Sequence, residues 1–254
     1  MSAPNYNPFC VIGIYRAPDH SSREEFEKSM AKLGHDVKLL PAAQNNMLKL
    51  NMMYQNDKLS KSIRGMRLPE APTTVLVTGE CETAEHLVEY IRDPSIAQLI
   101  AEAEPWLHGK ACAFSADVVT KIDRLQGMKR ETCHGIFIFK VPSHMEVGEY
   151  HGKIESMVDK FLALPVAREH IVKHTIWFQN DIMAQEFEET WRFPEAERTV
   201  VLMLECDTWD SMNQILTHEE IKRIIGDAMN DFGLHVESNC FSADVDTLVY
   251  KYDS

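Results

Sequence analysis

Two histidines, one tyrosine and two arginines carry the side chains best placed to do chemistry in this chain. His134 opens an apolar run, Cys133 to Phe139, and an imidazole titrates close to neutrality, so it can move a proton or orient a carbonyl. The alternative is a strand-end histidine half in solvent. His218, in Thr217-His218-Glu219, can act as a second acid–base group or as an axial haem ligand; a surface histidine at a helix kink is the competing reading. Tyr90 lies on an apolar helical stripe, where packing is the default role of a tyrosine. Arg67 and Arg192 open a phrase that recurs, Arg67-Leu68-Pro69-Glu70-Ala71 and Arg192-Phe193-Pro194-Glu195-Ala196. A guanidinium there can bind a substrate carboxylate or pair with the glutamate that follows, and the fixed Pro-Glu-Ala turn favours the structural pair.

Other chemistry is set aside by residue type. No Gly-rich phosphate loop, Gly-x-Ser-x-Gly elbow or His-Glu-x-x-His pair occurs. The six cysteines form no C-x-x-C pair, and most lie in apolar runs where a thiol is a small core residue, so no metal site is expected. His20 and His144 match each other but fall in turns that precede helices. A formal charge of −13 repels phosphate backbones and anionic lipid, which argues against nucleic acid and membrane as partners. No apolar stretch approaches the roughly 20 residues of a membrane span. The N-terminal Met-Ser-Ala-Pro-Asn-Tyr-Asn-Pro lacks the basic region and apolar core of a signal peptide, so a cytosolic protein is expected.

The scaffold for these residues is written twice. Phe114-Ser115-Ala116-Asp117-Val118 returns unchanged as Phe241-Ser242-Ala243-Asp244-Val245, and the residues before each copy also correspond. Strands are predicted over Phe9 to Tyr15 and Cys133 to Phe139, each ending in a base and an x-Pro turn. Helices follow, with Asp19 and Ser143 as candidate N-caps and a capping-box spacing from Ser143 to Glu146. Their apolar stripes match: Phe26, Met30, Leu33, Val37 and Leu40 answer to Tyr150, Ile154, Met157, Phe161 and Leu164. Pro41 and Pro165 are expected to stop both helices. Second strands run from Met47 to Tyr54 and Ile171 to Phe178, each closing on Gln-Asn-Asp. Long hairpins then lead to third strands at Thr74 to Thr78 and Thr199 to Leu204, second helices, and the repeated closing phrase as fourth strand.

Each half thus reads strand, helix, strand, strand, helix, strand, which folds as a ferredoxin-like α+β unit with both helices on one sheet face. The other sheet face is also apolar. Packing sheet on sheet buries it, giving an eight-stranded barrel with four helices outside. Residues 1–123 are the first repeat, 124–132 the linker and 133–254 the second repeat.

This order resembles the dimeric α+β barrel superfamily, and within it the stress-responsive α/β-barrel proteins, with the usual homodimer fused into one chain. The resemblance is carried by His134-Gly-Ile-Phe-Ile-Phe-Lys140, by the Leu-Pro ending each first helix, and by Glu82-Thr83-Ala84-Glu85-His86-Leu87-Val88-Glu89-Tyr90-Ile91-Arg92-Asp93-Pro94. That last stretch is similar to the family's S-x-E-x-x-x-x-Y-x-x-H-P-x-H segment. The superfamily includes polyketide cyclases, monooxygenases and haem-using enzymes. In the cyclases a tyrosine and a histidine of that segment act as acid–base groups in an apolar pocket between sheet and helices, and a further histidine on the first strand points into it. Transferred by position, the tyrosine is Tyr90 and the first-strand histidine is His134. The motif's first histidine falls on Asp93 and His218, its last on Ile96 and Ile221, and Ile215 replaces the tyrosine in the second copy. Neither copy keeps the complete pair.

The resulting expectation is a protein that holds a small apolar molecule between sheet and helices. It would perform cofactor-free proton transfer on a carbonyl compound, as a cyclase or lyase, with His134, Tyr90 and His218 as catalytic groups and Arg67 and Arg192 as binding groups. The alternatives are a non-catalytic stress or binding protein, and a haem-dependent enzyme.

Overall fold

The apolar, β-branched runs form the expected strands, and the cross-strand ladders extend most of them by one to five residues. The computed structural model describes residues 8–107, 111–125 and 131–252. Residues 126–130 of the expected linker, and the first seven residues on which the N-terminal reading rests, lie outside the described residues. The first half comprises β1 (Phe9–Arg16), α1 (Arg23–Leu39), α2 (Pro41–Asn46), β2 (Met47–Asn56), α3 (Ser60–Gly65), β3 (Thr74–Cys81), α4 (Ala84–Arg92), α5 (Pro94–Leu107) and β4 (Ala111–Asp123). The second repeats that order as β5 (Cys133–Lys140), α6 (Val147–Ala163), α7 (Pro165–His170), β6 (Ile171–Asn180), α8 (Ala184–Trp191), β7 (Thr199–Cys206), α9 (Trp209–Thr217), α10 (Glu219–Phe232) and β8 (Asn239–Tyr250).

The eight strands close a barrel in the order β1-β3-β2-β8-β5-β7-β6-β4. The seams between halves are β2 against β8 and β4 against β6. Those seams explain why β4 and β8 outrun the repeated phrase: Val119 to Asp123 pair with Ile176 to Lys173, and Asp246 to Tyr250 pair with Met52 to Lys49. Every pairing between two of these eight strands is antiparallel. Equivalent strands of the two halves therefore run the same way, and the pseudo-two-fold lies along the barrel axis. Equivalent residues meet at the same mouth.

Inward-facing Ile12, Ile14, Leu76, Phe114, Ile136, Ile138, Trp177, Val201 and Phe241 fill the barrel, so its middle is core rather than channel. The outer sheet faces carry two further cores beneath the helices, one per half.

Four helices were expected outside the barrel; ten short ones are present among the described residues. Pro41 and Pro165 end α1 and α6 but also start α2 and α7, because proline suits the first turn of a helix, where its missing N–H is no loss. The capping box lies in the first copy, where Ser22 and Glu25 bond each other's backbone N–H groups. Glu146, rather than Ser143, is the N-cap of α6, and Ser22 rather than Asp19 that of α1.

The long hairpins hold the two remaining helices, and each crosses to the other half. Leu59, Ile63, Met66 and Leu68, from and around α3, join the second-half core. Met183, Phe187, Trp191 and Phe193, from and around α8, join the first-half core. The repeated serine anchors both crossings: Ser115 Oγ accepts from Met183 N at 3.2 Å, and Ser242 Oγ accepts from Leu59 N at 3.1 Å. Arg67 and Arg192 terminate these helices in the left-handed region, at φ 60° and 56°, and the turn drives Leu68 and Phe193 inward.

Candidate functional site

The side chains of one row in each half decide what the barrel mouth can do. Cross-strand register aligns His134 with Glu205 and Glu205 with Lys173 on β5, β7 and β6; the equivalent row on β1, β3 and β2 is Cys10, Glu80 and Lys49. Alternation along each strand turns these rows the same way as the barrel-filling residues deeper in. The mouth they surround holds a cavity of about 890 Å³. Its wall includes Lys49, Asn51, His134, Lys173, Glu205 and Thr247, with Met53 and Met203 towards the barrel core.

His134 and Glu205 form the chemical centre of that wall. His134 Nε2 lies 3.5 Å from Glu205 Oε2 and 3.1 Å from Thr132 Oγ1. Thr132 Oγ1 donates to the same carboxylate oxygen at 3.1 Å, so Nε2 donates to Thr132 and carries the ring proton in the neutral imidazole. Nδ1 is then the basic nitrogen. Burial by itself raises the Glu205 pKa, but its contact with His134, aided by the charges of Lys173 and Lys49, holds it below the ordinary carboxylate value. A base, an orienting carboxylate and a hydroxyl relay on one cavity wall are the parts that general-base catalysis needs.

Asn51 is locked on the opposite sheet. It donates from Nδ2 to Thr78 Oγ1 at 3.3 Å and accepts from Thr247 Oγ1 at 2.9 Å. The rim adds Glu131, Asp207, Asp244 and the indole of Trp209.

The other expected residues do not join His134. Tyr90 is buried in the first-half interior, edge-on to Trp191 with ring centroids 6.0 Å apart, and burial, with Tyr15 nearby, pushes its pKa up. That sheet–helix interior has a cavity of about 60 Å³, and its second-half counterpart about 50 Å³. Neither reaches the roughly 300 Å³ of a typical ligand pocket. The expected apolar pocket is thus nearly filled in both halves, by methionines, aromatics and the crossing helices. His218 is the N-cap of α10, its Nδ1 accepting from Glu220 N at 3.3 Å. Arg67 and Arg192 are exposed at their helix ends. The expected pairing with the following glutamate is not what Glu70 does: it meets Arg64 at 3.1 Å.

Sequence reasoning missed Glu205, Lys49 and Lys173 as site residues. The signal was a charged residue inside an otherwise apolar strand, at matching places in both copies. His174 was also missed. It lies on β6, 3 % exposed, facing the small second-half cavity, and its Nδ1 has no hydrogen-bond partner.

Among the described residues no helix is long and apolar enough to cross a membrane. No protein-family model and no curated protein matches the chain. Solved structures do. An anthrone oxidase-like protein superposes with a TM-score of 0.61 at 10% identity, covering 97% of this chain and 96% of its own. A protein provisionally named a monooxygenase, from Fusobacterium nucleatum, gives 0.57 at 10% identity over 96% of this chain and 94% of its own. Another so named, from Lactobacillus acidophilus, gives 0.51 at 8% identity over 96% and 97%. At such identity the likeness is one of fold.

Proposed function

We propose that this chain, a dimeric α+β barrel whose two protomers are fused into one polypeptide, is a small-molecule enzyme that moves a proton at the barrel mouth. The observation that carries the reading is the His134–Glu205 pair on the wall of the roughly 890 Å³ cavity. His134 Nδ1 takes an acidic proton from a carbon next to a carbonyl. The electron pair moves onto the carbonyl oxygen as an enolate, and the imidazolium that forms is stabilised by Glu205. Thr132 fixes the ring so that one nitrogen is basic. An enolate made in this way can close a ring or expel a leaving group, which is cyclase or lyase chemistry. It can equally be oxidised by dioxygen, the kind of chemistry named for the structurally similar proteins. All three share the proton abstraction, and the mouth contains the groups for it.

Proton abstraction is measured directly by deuterium exchange from D2O into a panel of 2-oxo and 1,3-dicarbonyl compounds, followed by NMR, with an oxygen electrode run in parallel. Exchange that depends on the protein and falls about a hundredfold or more in His134→Gln is expected. Oxygen uptake in step with exchange would identify the oxidative branch. Exchange retained in His134→Gln but lost in Tyr90→Phe would move the chemistry to the first-half interior and overturn this reading.

A further inference from the structure

The two halves of the mouth are not equivalent, and the difference concerns one positive charge. At the β4–β6 seam Lys173 stands opposite Asp123, and the two charges are 3.7 Å apart. At the equivalent β2–β8 seam Lys49 stands opposite Tyr250. The second copy therefore has a phenol, Tyr250, where the first has Asp123, the carboxylate that neutralises Lys173 across the seam. Glu80, the neighbour of Lys49 in register, has its carboxylate bonded by Tyr252 Oη. Among the described residues the Lys49 ammonium has no carboxylate within ion-pair distance, and its charge is felt by Glu205 through space. It nevertheless lines the cavity and contributes to holding the Glu205 carboxylate in its charged form.

From this we infer that Lys49 anchors the anionic group of the substrate, and that the substrate class is a monocarboxylate carrying a carbonyl. The inference rests on the proton-transfer reading for the second half of its claim: the carboxylate lies on Lys49 while the acidified C–H faces His134. A lysine with no carboxylate in direct contact, in a half-buried cavity, gains most from a ligand that brings one within reach. Asp123, Glu131, Asp207 and Asp244 oppose any negative charge placed away from the lysines, which limits the ligand to the one carboxylate that Lys49 can hold. Trp209 on the rim and Met53 and Met203 at the floor offer apolar surface to the uncharged remainder. The proton leaves carbon for His134 Nδ1, the electron pair moves to the carbonyl oxygen, and the ammonium of Lys49 remains an electrostatic partner that makes no bond to carbon.

Three probes separate the elements of the claim: phenylpyruvate (one carboxylate), its methyl ester (none) and 2-oxoglutarate (two). Binding is measured by calorimetry on the full chain, and exchange at C3 of bound phenylpyruvate by NMR in D2O. Phenylpyruvate should bind more tightly than either of the others. Lys49→Met should weaken it roughly ten- to a hundredfold, the loss of one charge-assisted contact, and leave the ester unchanged. Lys49→Arg should restore most of the affinity, which shows that a weak Lys49→Met variant is not merely misfolded. Lys173→Met, whose charge is already neutralised, should have the smaller effect. Equal binding of acid and ester, no binding of phenylpyruvate, or a greater loss in Lys173→Met than in Lys49→Met would overturn the inference. If phenylpyruvate binds through Lys49 without His134-dependent exchange, the anion site stands and the proton-transfer reading falls. If His134-dependent exchange into neutral ketones survives while acid and ester bind alike, the reverse holds.

Discussion

His174 occupies the place that Leu50 holds in the first half, and the exchange of an alkyl group for an imidazole has a measurable consequence. Its ring is packed beside Phe161 beneath α6, with Nδ1 unpartnered. Burial, with a smaller contribution from Lys121, lowers its pKa from 6.5 to about 4. The unfolded chain therefore binds the imidazole proton more tightly than the folded one. The stability associated with a neutral ring is complete above pH 6.5 and is lost as the pH falls from there towards 4. His174→Leu removes both the proton linkage and the unpartnered nitrogen. It should raise the unfolding free energy by about 2 kcal/mol at pH 5 and by less at pH 8. Urea titrations at the two pH values test this; an equal gain at both, or a loss at pH 5, would show that the ring is not held neutral. The same kind of substitution accounts for the asymmetry of the mouth, where Cys10 and His134 hold equivalent places and only the second is an imidazole. The Cys10 thiol is pushed up by burial and by Glu80.

The secondary-structure elements were legible because duplication repeats the apolar strand runs and helical stripes in two independent sequences with the same spacing. Where the copies diverge, pattern reading stopped. The hairpin helices α3 and α8 carry opposite charge, with Lys61 and Arg64 in one and Glu186 and Glu188 in the other. Their crossing to the opposite half is a tertiary fact with no periodic signature of its own. A trace was present in the i, i+4 spacing of Leu59 and Ile63, and of Met183, Phe187 and Trp191. The candidate site was legible only in part. His134 announced itself by type and position, whereas Glu205 and Lys49 became site residues only once the register set them around one mouth. The crossing of α8 has a direct test in Trp191, whose Nε1 donates to Ile91 O at 3.2 Å and whose ring meets both Tyr90 and Phe193. Trp191→Ala should cost about 3–5 kcal/mol, the range for a buried tryptophan, although the residue belongs to the half whose own core it never touches. A change below 1 kcal/mol in chemical denaturation would mean that α8 is not seated as described.

At the scale of the molecule, the halves share more than a connection. The β2–β8 and β4–β6 seams run along nearly the full length of their strands, and each crossing helix places its largest side chains in the other half's core. The segment after α3 extends the exchange. Ala71 N donates to Cys240 O and Cys240 N to Pro69 O, both at 3.0 Å, which ties the first half's turn to the start of β8. Ser62 on α3 is bonded to Asn213 on α9, and Arg92 on α4 pairs with Glu186 on α8 at 2.6 Å. Unfolding one half alone would expose the barrel interior, strip two seams of hydrogen bonds and pull an apolar helix out of the surviving core. Each of these is unfavourable, and together they exceed what an isolated four-stranded sheet with one buried face can recover. A chain of two ferredoxin-like units should therefore unfold in a single cooperative transition, with calorimetric and van't Hoff enthalpies equal and the same midpoint from tryptophan fluorescence and far-ultraviolet circular dichroism. The tryptophans make the comparison discriminating, because Trp106 lies beneath the first half and Trp209 at the rim of the second. Two resolved transitions, or a fluorescence midpoint displaced from the dichroism midpoint, would show that the seams yield before the sheets do and that the barrel behaves as two domains in contact.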